Sequence, residues 1–404
     1  MTLIKKLAVA TAFMTAMAAP AFAQYSGPPI KLGVLSDMSG LYADLSGPGS
    51  VIAAKLAIED FGAAAKGMKV DVIGGDHQNK ADVGASIARQ WYDQDGVDVI
   101  LDVPNSAVAL AVSDITKEKN KIFLNSGAAT SDLTGPKCTP NTIHWAYDTW
   151  MLANGTGKAL VKQGGDSWFF LTADYAFGYA LERDTMEVVK KEGGKVVGNV
   201  RVPLNNQDFS SFLLQAQASK AKVIGLANAG GDTTNSIKGA AEFGITQAGQ
   251  KLAGLLVDVN DVHGLGLQVA QGLTFTDAWY WDLNDDTRKF AARFSALNGG
   301  KYPGKIHAGV YSSVIHYLKA VEAVKSKADG AAVVKKMKEL PTDDTVFGKG
   351  EVRQDGRKTH PVYLVEVKKP SESKKPWDYY KILTTIPANE AFRPLKDGNC
   401  PLVN

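Results

Sequence analysis

The chain has little cysteine, little histidine and almost no excess charge. Two cysteines and six scattered histidines in 404 residues supply no cluster of the kind a zinc or iron–sulfur site needs, so no metal is expected. Lysine and arginine number 45 against 42 aspartates and glutamates, a formal charge of +3, with no long block of one sign. This excludes a dedicated nucleic-acid binder, whose basic residues concentrate on one face, and it argues against a disordered chain. G-x-S-x-G, H-E-x-x-H and G-x-x-x-x-G-K-[ST] are all missing, so neither an enzyme nor a cofactor is expected. The closest approach to a dinucleotide fingerprint, Gly264-Leu265-Gly266, has Val269 where the third glycine belongs. A single hydrophobic core stops growing near roughly 250 to 300 residues, so a chain of this length is expected to divide into two lobes.

The only long apolar run lies at the start. Lys5 and Lys6 precede a stretch from Leu7 to Ala19, and Ala21-Phe22-Ala23 closes it with small residues around a larger one. The pattern is that of an export signal cut after Ala23, and the run is shorter than the ~20 residues a membrane-spanning helix needs. Losing Lys5 and Lys6 brings the formal charge from +3 to +1. Cys138 and Cys400 then form an even pair in an oxidising compartment, which favours a disulfide over two unrelated buried thiols.

Short apolar runs rich in β-branched residues alternate with amphipathic stretches, the pattern of parallel strands covered by helices on both faces. Strands are predicted at Ile30–Ser36, 68–73, 97–103 and 121–125, with helices opening at 47–50 and covering 85–92 and 107–117. The series restarts after 136–150, a segment of Pro, Cys, Asn and aromatics that reads as a crossing between lobes. Strands at 168–172, Lys195–Val202 and Val223–Ala227 alternate there with helices at 180–191 and 209–218. A late helix at 310–324 and strands at Val362–Val367 and 379–383 complete an α/β chain.

Ligands of open α/β sheets collect where strands end and helix N-termini present free N–H groups. Asn105-Ser106 and Ser126-Gly127-Ala128-Ala129-Thr130 stand at such ends in the first half and suit a carboxylate, although turns and helix caps use the same residues. In the second half, Tyr175 and Phe177 within Asp174-Tyr175-Ala176-Phe177-Gly178, Asn228, Asp258 and the aromatics Trp279 and Tyr280 follow strands. With Tyr42 they are candidates to close over an apolar or aromatic ligand body. Trp279 and Trp281 would equally fill a core.

Four blocks, IKLGVLSDMSGLYADLSGPG, VDVILDVPNSAVALAVSDITKEKNKIFLNSGAATSDLTG, WFFLTADYAFG and HAGVYSSVIHYLKAVEAV, resemble the branched-chain amino-acid-binding (Leu/Ile/Val-binding) type of periplasmic solute-binding protein. The resemblance runs from about Ile30 to about Leu364. It implies the type I fold: two Rossmann-like lobes joined by three hinge crossings, a small-molecule ligand enclosed between them, and delivery to the permease subunits of an ABC transporter from a periplasmic monomer. The crossings are expected near 144–148, 278–281 and 345–348. Residues 24–145 and 281–345 would form the first lobe, 146–280 and 346–390 the second, and 391–404 a tail tied back by Cys400. By the same resemblance Asn105, Ser106, Ala128, Ala129 and Thr130 bind the ligand carboxylate, Phe177 replaces a frequent tyrosine, and Asn228 and Asp258 stand at sheet ends. Asp258 is the counterpart of the acidic group that holds the ammonium in amino-acid binders. The TDAWYWDLNDDTR segment, with DVNDVHGLGL before it, resembles a subgroup that includes binders of aromatic carboxylates. An aromatic acid is therefore the favoured ligand. The alternatives are a branched-chain amino acid, or a ligand sensor serving a membrane signalling partner.

Overall fold

The computed structural model describes residues 25–403; the expected export signal and its cleavage site lie outside them. Five parallel strands form the first sheet: β1 (Ile30–Ser36), β2 (Val70–Asp76), β3 (Val99–Asp102), β4 (Ile122–Asn125) and β5 (Thr142–His144), in the order β2-β1-β3-β4-β5. Helices α1 (Gly47–Phe61), α2 (Ala81–Asp93) and α3 (Ser106–Glu118) run between them. Burial along nearly the whole of β1, β3, β4 and β5 explains why these strands read as unbroken apolar runs rather than alternating ones.

The chain crosses once and repeats the arrangement. α4 (Thr149–Lys162), β6 (Ser167–Ala173), α5 (Ala176–Lys191), β7 (Lys195–Val202), α6 (Ser210–Ala218), β8 (Val223–Ala227), α7 (Gly231–Glu242), β9 (Lys251–Gly254), α8 (Val259–Leu265) and the short α9 (Leu267–Ala270) build a second parallel sheet ordered β7-β6-β8-β9. β10 (Thr274–Asp277) follows. Then α10 (Asp285–Leu297), α11 (Lys305–Val324) and α12 (Gly330–Glu339) return to the first sheet. α11 is buried along most of its length, packed between α1, α12 and the first sheet, and so carries apolar residues on several sides.

Two small sheets finish the fold. β11 (Thr342–Asp344), β12 (Gly348–Val352) and β13 (Lys358–Thr359) form one; β14 (Val362–Val367) and β15 (Tyr380–Ile386) join β10 antiparallel in the other, ahead of α13 (Ala388–Ala391). The first two connections between the lobes lie at 145–148 and 278–284, where 144–148 and 278–281 were expected. The third lies elsewhere. Arg357, just before β13, bridges to His144 at the end of β5, so the chain through Thr359 stays with the first lobe and crosses only at 360–361. The second lobe therefore resumes near 361 instead of 346. Strands of two or three residues carry too few side chains to show a period, and the segment reads as a linker.

Cys138 and Cys400 are bonded, with Cα atoms 5.7 Å apart across a separation of 262 residues. In the loop-entropy model such a closure stabilises by at most about 5 kcal/mol. Reduction, or joint replacement of both cysteines by serine, is expected to lower the melting temperature by several degrees in calorimetry; an unchanged transition would show that the closure adds nothing. Among the described residues, no helix is long and apolar enough to cross a membrane.

Candidate functional site

The carboxyl ends of both parallel sheets face a cleft between the lobes, and the loops leaving them meet around a cavity of about 10 Å³, room for roughly one water. Tyr42, Leu45, Pro104, Gly127, Ala129 and Tyr147 come to it from the first lobe and the first crossing. Tyr175, Phe177, Ala229 and Leu256 come from the second lobe, and Ile306 from the start of α11. No charged side chain is on this wall. A ring-sized guest needs the lobes to part and close again around it.

Local sequence explains how the rings are aimed. Asp37 accepts the N–H of Gly40 at 2.7 Å and that of Tyr42 at 2.8 Å, winding the loop after β1 so that Tyr42 reaches across the cleft. Its hydroxyl meets that of Tyr175 at 2.7 Å, a hydrogen bond between lobes. After β6 the turn brings Gly178 so close to the strand that a Cβ there would lie 2.0 Å from the Ala173 carbonyl oxygen, which is why glycine closes the D-x-x-x-G turn. Phe177 is thereby set against the cavity. Tyr147 donates its hydroxyl to the Gly127 carbonyl at 2.6 Å. Burial raises the pKa of all three phenols above the ordinary tyrosine value, so each stays a neutral donor.

β3 ends abruptly: Asp102 and Val103 both lie at positive φ, 76° and 58°. For two residues with side chains, one of them β-branched, this is strain of about 1–3 kcal/mol each. It turns Pro104 onto the wall and points Asn105 into α3. Asp102 is buried. One carboxyl oxygen accepts from Ser36 at 2.9 Å, while the other, Oδ1, has no partner among the described residues. Burial pushes this carboxyl up to about 7, against the pull of the Ser50 and Ser36 hydroxyls.

Of the expected carboxylate loops, only Ala129 stands on the wall. Asn105 caps α3, its side-chain oxygen accepting from the N–H groups of Ala107 and Val108 at 3.0 and 3.2 Å. Ser106 accepts the N–H of Thr130 at 3.3 Å, and the Thr130 hydroxyl accepts that of Asp132 at 3.4 Å. Ala128 spends its N–H on Asn125 and its carbonyl on Asn125 and His144. These residues brace the wall from behind.

In the second lobe Tyr175 and Phe177 are on the wall, whereas Asn228 is not. Asn228 accepts from Thr233 at 2.8 Å and donates to Ser236 at 3.0 Å, organising the loop before α7. Trp279 and Tyr280 are also away from the cavity, contrary to expectation. Trp279 donates to the Val346 carbonyl and packs edge-on against Phe290. Tyr280 stacks on Tyr380 at 4.5 Å and donates to the Trp377 carbonyl. The second crossing turns its rings into the core beneath α10 and against residues 377–380, and Trp281 goes with them.

Asp258 caps α8 and lies just behind the wall, two residues past Leu256. Its carboxylate is 2.9 Å from the Lys305 ammonium, which is also 3.1 Å from Asp277 and 3.0 Å from the Val257 carbonyl. All three charged side chains are buried. Burial works to raise the Asp258 carboxyl, but the adjacent ammonium overrides it and holds it below its ordinary value. Asp277 shows the opposite balance and rises to about 7 through burial. Tyr147, Leu256, Ile306 and Lys305 were not legible as site residues. A lone lysine before an apolar helix, or an aliphatic residue after a strand, has no distinguishing spacing.

A family model described as periplasmic binding protein matches residues 29–374. A periplasmic binding protein from Burkholderia mallei is 53% identical, with a TM-score of 0.90 over 93% of this chain and 99% of that one. A branched chain amino acid ABC transporter periplasmic ligand-binding protein from Burkholderia xenovorans is 41% identical, with a TM-score of 0.82 over 92% and 99% of the two chains. An ABC transporter solute binding protein from R. palustris, in complex with 4-hydroxybenzoate, is 23% identical, with a TM-score of 0.80 over 89% and 98%. That last likeness speaks for the fold alone.

Proposed function

The chain belongs to the periplasmic binding protein family, and from that premise we propose that it is a monomeric extracytoplasmic receptor that encloses a small aromatic carboxylate between its lobes and delivers it to an ABC importer. The observation that carries this reading is the wall itself: rings from both lobes, Tyr42, Tyr147, Tyr175 and Phe177, and no charged side chain. Such a surface favours a flat apolar body held by a few polar groups. Of the buried phenols, Tyr147 is committed to the Gly127 carbonyl, and the Tyr42–Tyr175 pair keeps one hydroxyl hydrogen free to donate to an anionic end, with the Ala129 backbone beside it. Because Tyr42 and Tyr175 belong to opposite lobes, a ligand touching both interacts fully only when the cleft is shut, and its differential affinity drives closure.

A second reading, a branched-chain amino acid, is favoured by Leu45, Leu256 and Ile306 on the same wall and by the description of the B. xenovorans relative. A thermal-shift panel separates the two. A ligand at a hundred times its dissociation constant stabilises by about 2.7 kcal/mol. Benzoate and 4-hydroxybenzoate are expected to raise the melting temperature by several degrees while leucine and isoleucine leave it unchanged; the reverse pattern replaces the first reading by the second.

A further inference from the structure

We infer that Lys305 determines ligand specificity: its ammonium occupies the position at Asp258 that a ligand's own ammonium would take, so the site accepts carboxylates that lack an α-amino group. The inference rests on the reading of the inter-lobe cavity as the ligand site and names the class of acid it takes.

Geometry carries it. Lys305 opens α11, which packs on the first lobe, yet its side chain reaches the second lobe behind the cavity. Its chain neighbour Ile306 and the near neighbour of Asp258, Leu256, are both on the wall. The ammonium lies 5.7 Å from the centre of the Tyr147 ring, another wall residue. A lysine ammonium has three hydrogens; this one donates to Asp258 at 2.9 Å and to the Val257 carbonyl at 3.0 Å, and Asp277 stands 3.1 Å away as a second ion-pair partner. The backbone is shaped for the contact, since a Cβ on Gly304 would stand 2.2 Å from an Asp258 carboxyl oxygen.

Asp258 is thus an acidic group next to the cavity, and its charge is already answered by a group of the same chemistry as an amino acid's ammonium. An incoming ammonium would find that acceptor taken and a buried positive charge beside it, and would give up its hydration without that carboxylate to repay the cost. A des-amino acid meets no such cost. Discrimination comes from a repulsive element as much as from an attractive one.

The test compares 3-phenylpropanoate with phenylalanine, which differ only in the ammonium, by calorimetry on the wild type and on Lys305→Ala. The wild type is expected to bind 3-phenylpropanoate more tightly, and the variant to shift the ratio of dissociation constants toward phenylalanine by about tenfold or more. In thermal shift, propylammonium chloride, which matches the removed stem and charge, is expected to stabilise Lys305→Ala but neither the wild type nor Lys305→Ala with Asp258→Asn. Should Lys305→Ala alone fail to fold, Lys305→Ala with Asp277→Asn keeps Asp258 as the acceptor with one buried charge fewer, and is read in the same way. A folded variant that keeps the wild-type ratio and ignores propylammonium overturns the role of Lys305 and leaves the carboxylate reading standing. A wild type that binds phenylalanine in preference overturns both. If the wild type binds neither acid, the propylammonium response alone decides whether Lys305 fills an ammonium position, and the benzoate panel decides the aromatic-carboxylate reading.

Discussion

Replacing Arg357 by methionine is expected to lower stability by about 3 to 5 kcal/mol, because it leaves the buried Asp148 carboxylate without its countercharge. Arg357 is itself buried, and its guanidinium donates to the Tyr147 carbonyl at 3.0 Å and to Asp148 at 3.2 Å. Another nitrogen, Nε, donates to the Lys358 carbonyl at 3.0 Å, and the guanidinium carbon lies 4.8 Å from the centre of the Phe392 ring in the tail. Asp148 also caps α4 through the N–H of Met151 at 2.7 Å, so the stranded charge would sit at the start of the helix that opens the second lobe. Urea denaturation of Arg357→Met measures the loss. Adding Asp148→Asn removes the stranded charge while keeping a capping oxygen, and is expected to restore most of the stability. Ligand affinity is expected to fall with Arg357→Met as well, since the guanidinium holds the backbone that presents the Tyr147 ring. A loss below about 1 kcal/mol would show that the pair contributes little beyond its own desolvation.

The second large effect is a dependence on pH that Asp102→Asn should remove. Burial raises the Asp102 carboxyl from 3.8 to about 7, so the folded protein holds this proton more tightly than the unfolded chain. The resulting stability is fully present below pH about 4 and is lost as pH rises through about 7, a swing on the order of 4 kcal/mol. Asparagine has nearly the same shape, can still accept from Ser36 and never ionises. Relative to the wild type, the variant is therefore expected to gain stability from pH 4 to about pH 7 and to level off above it. Asp277 and Asp261, each raised to about 7, and Asp232, raised to about 6, titrate in the same window. They are common to both proteins and drop out of the difference. A difference that stays flat across this range, measured by denaturant titration at each pH, would refute the assignment of that carboxyl.

Much of the fold was legible because buried parallel strands announce themselves by composition. β1 and β8 appear where the apolar runs predicted them, and β4 begins one residue later than expected. β3 ends at Asp102 instead of 103, because the chain turns there through positive φ, which no propensity of aspartate or valine would suggest. The candidate site was legible in part. Tyr42, Ala129, Tyr175 and Phe177 are on the wall, while Asn105, Ser106, Ala128 and Thr130 brace it through helix-cap and loop hydrogen bonds. Small polar residues after a strand serve either purpose, and only the partner they find separates the two.

From residue pattern alone follow the two α/β lobes, a crossing within 136–150 and the pairing of Cys138 with Cys400, since periodicity, composition and cysteine count are local or additive properties. Which aromatics line the cavity, where the chain makes its last crossing and what neutralises Asp258 were settled only when distant segments packed together. Trp279 and Tyr280 are the same residue types as a ligand wall would use, yet the crossing turns them into the core; Lys305, 47 positions from Asp258 in the chain, becomes its partner only in the folded chain. A side chain's role depends on the neighbours it meets across the fold, and one-dimensional spacing carries no record of those meetings.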